Sequence, residues 1–250
     1  MHHSESLAGK VALVTGAAAR IGAAISEALH AAGVHVIVHY RSSADRAQAL
    51  VDRLNADRAG SASMLQADLC DMQQVERLAE QAVALQQGLD ILINNASSYY
   101  ATPLGSATQE QWDDLFGTNA RAPFFLSQAL APALRERHGC IVNLVDIHAD
   151  RPNKDHPVYS MAKAANAMLV KSLARELAPQ VRVNGVAPGA ALWPEHYFDE
   201  AERQEILKRI PMGRPAGAGQ IVNAVMFMVS GSDYITGQIL AVDGGRSVQQ

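Results

Sequence analysis

The peptide Tyr159-Ser160-Met161-Ala162-Lys163, with Asp146 thirteen residues before the tyrosine, groups three side chains able to move a proton. The alanine-rich periodic stretch from Val158 to Leu177 reads as a helix, which sets Tyr159 and Lys163 one turn apart on the same face. A free phenol has a pKa near ~10 and exchanges protons poorly at neutral pH. Lowering it by about three units takes roughly 4 kcal/mol, the amount one ammonium at about 4 Å supplies at an effective dielectric of ~20. The spacing therefore predicts a phenol activated by the Lys163 charge. Taken alone, the pair also fits two surface residues of an ordinary amphipathic helix, so the surrounding elements decide.

Short β-branched runs alternate with longer helical patterns along the chain, the signature of a parallel sheet covered on both faces. Strands are predicted near Lys10 to Thr15, Val34 to Tyr40, Ser61 to Ala67, Leu89 to Asn94, Gly139 to Val145, Val181 to Ala187 and Gln238 to Val242. The expected fold is α/β, a Rossmann-type doubly wound sheet of seven parallel strands, as one domain over residues 7–250 after a flexible stretch 1–6. Two connections are long, Ala96 to Ala107 and Pro188 to about Pro215. The second, which contains Trp193, leaves a strand end where ligands of open α/β sheets bind, and reads as a substrate lid. The alternative is a crossover packed on a neighbouring subunit.

The 250 residues are 48% hydrophobic and 18% charged, with a net charge of -4 and no cluster of Lys and Arg, which argues against a nucleic-acid or anionic-membrane partner. No apolar run reaches the ~18 residues of a membrane span. Cys70 and Cys140 lack zinc or disulfide spacing, and the nine histidines show no familiar ligand pattern, so no metal is expected. A cytoplasmic enzyme acting on a small molecule is the resulting expectation.

Val11 to Val14 followed by Thr15-Gly16-Ala17-Ala18-Ala19-Arg20-Ile21-Gly22 is a strand, a small-residue turn and a helix start, which lets backbone amides approach a pyrophosphate. A dinucleotide site is implied. After the second strand, where selection of the cofactor lacking a 2′-phosphate calls for an acid, the chain reads His39-Tyr40-Arg41-Ser42-Ser43. Arg41 can pair with a phosphate and the serines can donate to it, so NADPH is the predicted cofactor.

Thr15-Gly16 with Gly22, Asp68, Asn94-Asn95-Ala96, Asn119, Tyr159 with Lys163, Pro188-Gly189 and Asp243-Gly244-Gly245 occur in the order of the short-chain dehydrogenase/reductase family, which the chain resembles from about Leu7 to Ser247. The resemblance implies that Gly16, Arg20, Ile21, Asp68, Leu69, Asn95, Ala96, Ser97, Pro188 and Gly189 line the cofactor, with Asp68 at the adenine. It further implies that Asn119 supports a proton-relay water near Lys163, and that the protein is a homotetramer built through the helices carrying Asn119 and Tyr159.

Arg20 stands where the family usually has glycine and Asp146 where it usually has serine. With His39 to Ser42, Asn95 to Tyr100 and the loop Ala187 to Glu195, these departures resemble the pteridine reductase branch. That resemblance implies a pterin substrate held by Arg20, Ser97, Tyr99, Asp146, Tyr159 and Trp193. His156 stands where the branch often has an aromatic substrate contact, and its ring is expected to stack on the substrate in that place. A serine suits a ketone, whereas a carboxyl group can accept from the amino groups of a pterin or relay a proton to a ring nitrogen. The expected activity is NADPH-dependent reduction of a dihydropterin, with Tyr159, Lys163, Asp146 and Asn119 catalytic. Its rivals are a general carbonyl reductase and a non-catalytic NADPH sensor.

Overall fold

The computed structural model describes residues 6–191 and 200–249. Every anticipated strand forms, trimmed by one or two residues at one or both ends except that β6 runs one residue further, to Pro188: β1 (Val11–Val14), β2 (His35–Tyr40), β3 (Ala62–Gln66), β4 (Ile91–Asn94), β5 (Cys140–Leu144), β6 (Arg182–Pro188) and β7 (Ile239–Val242). The helices are α1 (Arg20–Ala31), α2 (Ala44–Asp57), α3 (Met72–Gln86), α4 (Gln109–Phe116), α5 (Ala122–Glu136), α6 (Pro157–Leu177), α7 (Glu200–Lys208) and α8 (Ala218–Ser230).

The strands form one parallel sheet in the order β3-β2-β1-β4-β5-β6-β7. Because β1, β4 and β5 are covered on both sides, they are apolar at almost every position and wholly buried. Strand alternation then divides the core. Ala12 and Val14 face α1, α2 and α8, while Val11 and Leu13 face α3, α5 and α6. Each fully buried Leu or Ile on these faces, such as Leu13, Ile25 or Leu130, contributes about 1.5–3 kcal/mol.

The winding reverses between β1 and β4, the two strands that share the centre of the sheet. Helices departing on opposite faces leave a crevice beyond the carboxyl ends of these strands, where a ligand can meet backbone from both halves. The segment read as a lid contains a helix, α7, and Ala191 forms a parallel bridge with Ala216 that ties the ends of this excursion together. Trp193 lies outside the described residues, as does most of the stretch expected to be a flexible N-terminus.

Candidate active site

A cleft of about 740 Å³ opens at this crevice, within the size range of small-molecule sites. Its floor is the turn after β1. Gly16 has φ +61°, a left-handed conformation that favours glycine. At Gly22 a side chain is impossible without movement, because a Cβ would lie 2.3 Å from the Gly16 carbonyl oxygen and 2.6 Å from Asn95 Nδ2. Asn95 Nδ2 donates to the Thr15 and Gly16 carbonyls (2.8 and 3.1 Å), fixing the turn to the end of β4. This bare, fixed cradle fits a dinucleotide pyrophosphate.

Of the residues assigned to that cofactor, Gly16, Arg20, Ile21, Arg41, Asp68, Leu69, Asn95, Ala96, Ser97, Pro188 and Gly189 line the cleft. His39 also lines it, but both of its nitrogens are occupied by backbone: Gly16 N–H donates to Nδ1 (3.0 Å) and Nε2–H donates to the Ala67 carbonyl (3.1 Å). It is therefore a brace for the turn and has no ring N–H left for a phosphate. Burial, the largest cause, lowers its pKa to about 4. Two assigned residues, Tyr40 and Ser42, do not line the cleft. The Tyr40 ring packs into the core beneath the sheet end, and Ser42 sits on a separate shallow surface with Ser43 and Arg46, because β2 continues through residue 40 and buries that side chain.

Arg20 has φ +54°. An L-residue held left-handed costs about 1–2 kcal/mol, so this position tolerates backbone strain in order to place a guanidinium at the cofactor turn.

At the other end of the cleft, Asp146, Tyr159 and Lys163 do converge. The Tyr159 hydroxyl donates to Asp146 Oδ2 (2.7 Å), while the His148 N–H donates to Asp146 Oδ1 (2.8 Å) and so anchors the short 3-10 turn Ile147–Ala149. Lys163 Nζ lies 5.7 Å from the centre of the Tyr159 ring and donates to the Leu144 carbonyl (2.9 Å). Helix α6 delivers both residues on one face, as its periodicity requires.

The electrostatics reverse the expectation that Lys163 lowers the phenol pKa. Burial first, and then the Asp146 charge, push Tyr159 well above its ordinary value. Lys163 is itself brought down to about 8 by burial, against the pull of Asp146. The carboxylate, hydrogen-bonded to the phenol, outweighs an ammonium more than 5 Å from the ring centre. Tyr159 is thus a proton holder and suits the role of acid more than that of base.

Asn119 belongs to a π-helical turn, Gly117–Arg121, inserted between α4 and α5. Its Oδ1 accepts from the Ser97 hydroxyl (2.7 Å), and Ser97 lies against the Tyr159 phenol. Its backbone carbonyl accepts from Asn166 Nδ2 (2.8 Å), the last member of a buried amide chain running from Asn94 to Asn143 to Asn166. Asn119 therefore reaches the site through Ser97.

Tyr99 lines the cleft, edge-on to Tyr159 (4.8 Å, 82°), and stacks on His156 (4.8 Å, 15°). His156 is buried behind it, with Nδ1 bonded to the Lys154 carbonyl (2.7 Å). The substrate contact expected of His156 is corrected accordingly: its ring backs Tyr99, because the loop 153–156 folds underneath. Sequence reasoning missed His148, Asn153, Ile206, Arg209 and Arg246, which complete the wall. Only Arg246 carried a signal, following directly on Asp243-Gly244-Gly245.

A seven-stranded doubly wound sheet with a glycine turn after β1 and a Tyr-x-x-x-Lys pair on α6 defines a nicotinamide-dependent oxidoreductase, and the chain belongs to the short-chain dehydrogenase/reductase family. A family model described as enoyl-(acyl carrier protein) reductase matches residues 16–247. Among individual proteins, the chain is 38% identical to "Pteridine reductase 1" of Leishmania tarentolae, over 95% of this chain and 96% of that one. It is equally 38% identical to "3-oxoacyl-[acyl-carrier-protein] reductase FabG" of Escherichia coli (strain K12), over 95% and 97%. Identity to "Uncharacterized oxidoreductase YmfI" of Bacillus subtilis (strain 168) is 37%, over 94% and 98%.

Proposed function

We propose that the protein reduces dihydropterins, of the dihydrobiopterin, dihydromonapterin or dihydrofolate type, with NADPH. The observation that carries this reading is the 2.7 Å hydrogen bond between Tyr159 and Asp146 inside the cleft. A ketone needs one proton at oxygen, which a tyrosine and a serine suffice to manage. A pterin edge presents amino and ring N–H donors together with a basic ring nitrogen, which a carboxylate beside a phenol can match.

NADPH supplies the hydride when bound. Arg41, with no carboxylate between His39 and Ser43, favours the cofactor bearing a 2′-phosphate. Asp146 accepts from the substrate amino edge. Tyr159, its pKa held high, keeps its proton until a ring nitrogen accepts it, and the Ser97 hydroxyl then turns its single hydrogen from Asn119 to the phenolate. Lys163 holds the nicotinamide ribose and counters the developing charge, Asn119 keeps Ser97 in place, and Tyr99 supplies an aromatic face for the ring. The apolar side chains exposed on α5 and α6, among them Phe125, Met161 and Met168, favour a homotetramer assembled through these helices. Cys70 and Cys140, neither of them in a disulfide among the described residues, accord with a cytoplasmic enzyme.

The second reading, reduction of a 3-oxoacyl thioester, is favoured by relatives of that name at equal identity. Asp146→Ser separates the two. Followed by loss of NADPH absorbance, it is expected to lower dihydropterin turnover about hundredfold and ketone turnover much less. Equal losses on both substrates, or no pterin-dependent oxidation by the unmodified enzyme, would favour the thioester reading.

A further inference from the structure

Two guanidiniums meet the cleft beyond Asp146. Arg246 opens the 3-10 turn Arg246–Val248 after β7, and Arg209 follows the last turn of α7. The base of Arg246 is fixed, because Asp243 accepts from the Gly245 N–H (2.9 Å) and the Ser247 N–H (2.6 Å) on either side of it. Asp243 is in turn packed against the end of β6, where a Cβ on Gly189 would lie 2.7 Å from its own. Arg246 is half-buried. Burial, the largest cause, holds its pKa below the ordinary value, the Arg209 charge adds to this, and Asp146 opposes it.

Among the described residues, neither cation has an anion at contact distance. Among the described residues the ion pairs are Arg53 with Glu27 and Lys208 with Glu205, so no carboxylate lies within 4.0 Å of Arg209 or Arg246. Glu202 and Glu205 share the wall, the latter turned to Lys208. Arg209 is exposed and Arg246 half-buried, and holding a partly desolvated guanidinium beside a second cation is unfavourable unless a ligand brings the opposite charge. The arginine fork matches carboxylate and phosphate oxygens bidentately. Arg246 interacts with Asp146 and Tyr99, which puts the pair at the substrate end and far from the Asp68 end of the cleft.

Resting on the pterin reading, we propose that Arg246, with Arg209, binds an oxyanion carried by the substrate outside its reacting ring, a carboxylate in a dihydrofolate-type side chain or a phosphate on a shorter one. The enzyme is accordingly selective for acidic dihydropterins over those with an uncharged side chain.

The test measures kcat/KM with NADPH for dihydrofolate, for the phosphate ester of a dihydropterin triol and for dihydrobiopterin, whose side chain is uncharged, in the unmodified enzyme, R246M, R209M and R246K. The ratio of the acidic to the neutral substrate is expected to fall about tenfold in R246M, less in R209M, and to be partly retained in R246K. Whichever acidic substrate loses more identifies the source of the oxyanion. A ratio unchanged within about twofold in R246M overturns the proposal and leaves Arg246 as a counter-ion of Asp146, since that role weakens all three substrates alike. If the unmodified enzyme reduces no pterin, the pterin reading fails separately. The same ratio is then taken between a 3-oxoacyl coenzyme A and its uncharged N-acetylcysteamine thioester: selective loss in R246M supports the oxyanion site, and equal loss overturns it. A thermal melt of each variant confirms that it folds.

Discussion

The two ends of the cleft are built from different materials. The cofactor end is mostly backbone: a glycine turn, a helix start, and Asn95 and His39 bonded to main-chain atoms. The substrate end is made of side chains drawn from distant segments, with Asp146 after β5, Tyr159 and Lys163 from α6, Arg209 after α7 and Arg246 after β7. A backbone site accepts one ligand class and is altered mainly through its braces. A side-chain site can be altered by single substitutions, and relatives of equal identity bear the names of a pteridine reductase and a 3-oxoacyl reductase.

The largest expected effect lies at the side-chain end. Tyr159→Phe removes the proton held against Asp146 and should lower turnover by about 10²–10⁴-fold. A loss below about fivefold in single-turnover hydride transfer would show that another group delivers the proton.

A smaller effect, on stability, should mark the backbone end in acid. His39 titrates at about 4 when folded and near 6.5 when unfolded, so its stabilising neutral form is favoured above 6.5 and the advantage is lost as pH falls toward 4. By pH 5 the difference amounts to about 2 kcal/mol. Urea unfolding at pH 7 and pH 5 should show this loss in the unmodified protein and a flatter response in His39→Asn. Parallel responses would mean that the imidazole is not the acid-sensitive brace.

The smallest effect sharpens the contrast at the point where a side chain intrudes on the backbone end. Arg20→Gly relieves a left-handed residue but enlarges the freedom of the unfolded chain, for a net gain under about 1 kcal/mol. The KM for NADPH should rise in the same variant. A melting temperature several degrees lower would show that the contacts of Arg20 outweigh its strain.

The same contrast explains what was legible in the sequence. β-branched runs and glycine spacing report backbone, so all seven strands, the cradle at Gly16 and Gly22, and the one-turn offset of Tyr159 and Lys163 could be read directly. Helix α7 escaped because it buries no residue and leaves no apolar stripe; its helical signal lies in Glu200 with Gln204, and Glu205 with Lys208, pairs three or four residues apart. The π turn at Asn119 adds a residue that no 3.6-residue period reveals. The sign of the Tyr159 shift was misjudged because it depends on burial and on which neighbour comes closest, and sequence spacing specifies neither.

Asp146 gives its two oxygens separate duties, one holding the turn at His148 and the other meeting the phenol. Serine is comparably suited to the first duty, since both residues cap helix starts well. An exchange at this position therefore leaves the turn intact while it replaces the group presented to the substrate. On the pterin reading proposed above, a change from nitrogen heterocycles to ketones needs no rebuilt loop and no marginally folded ancestor along the way.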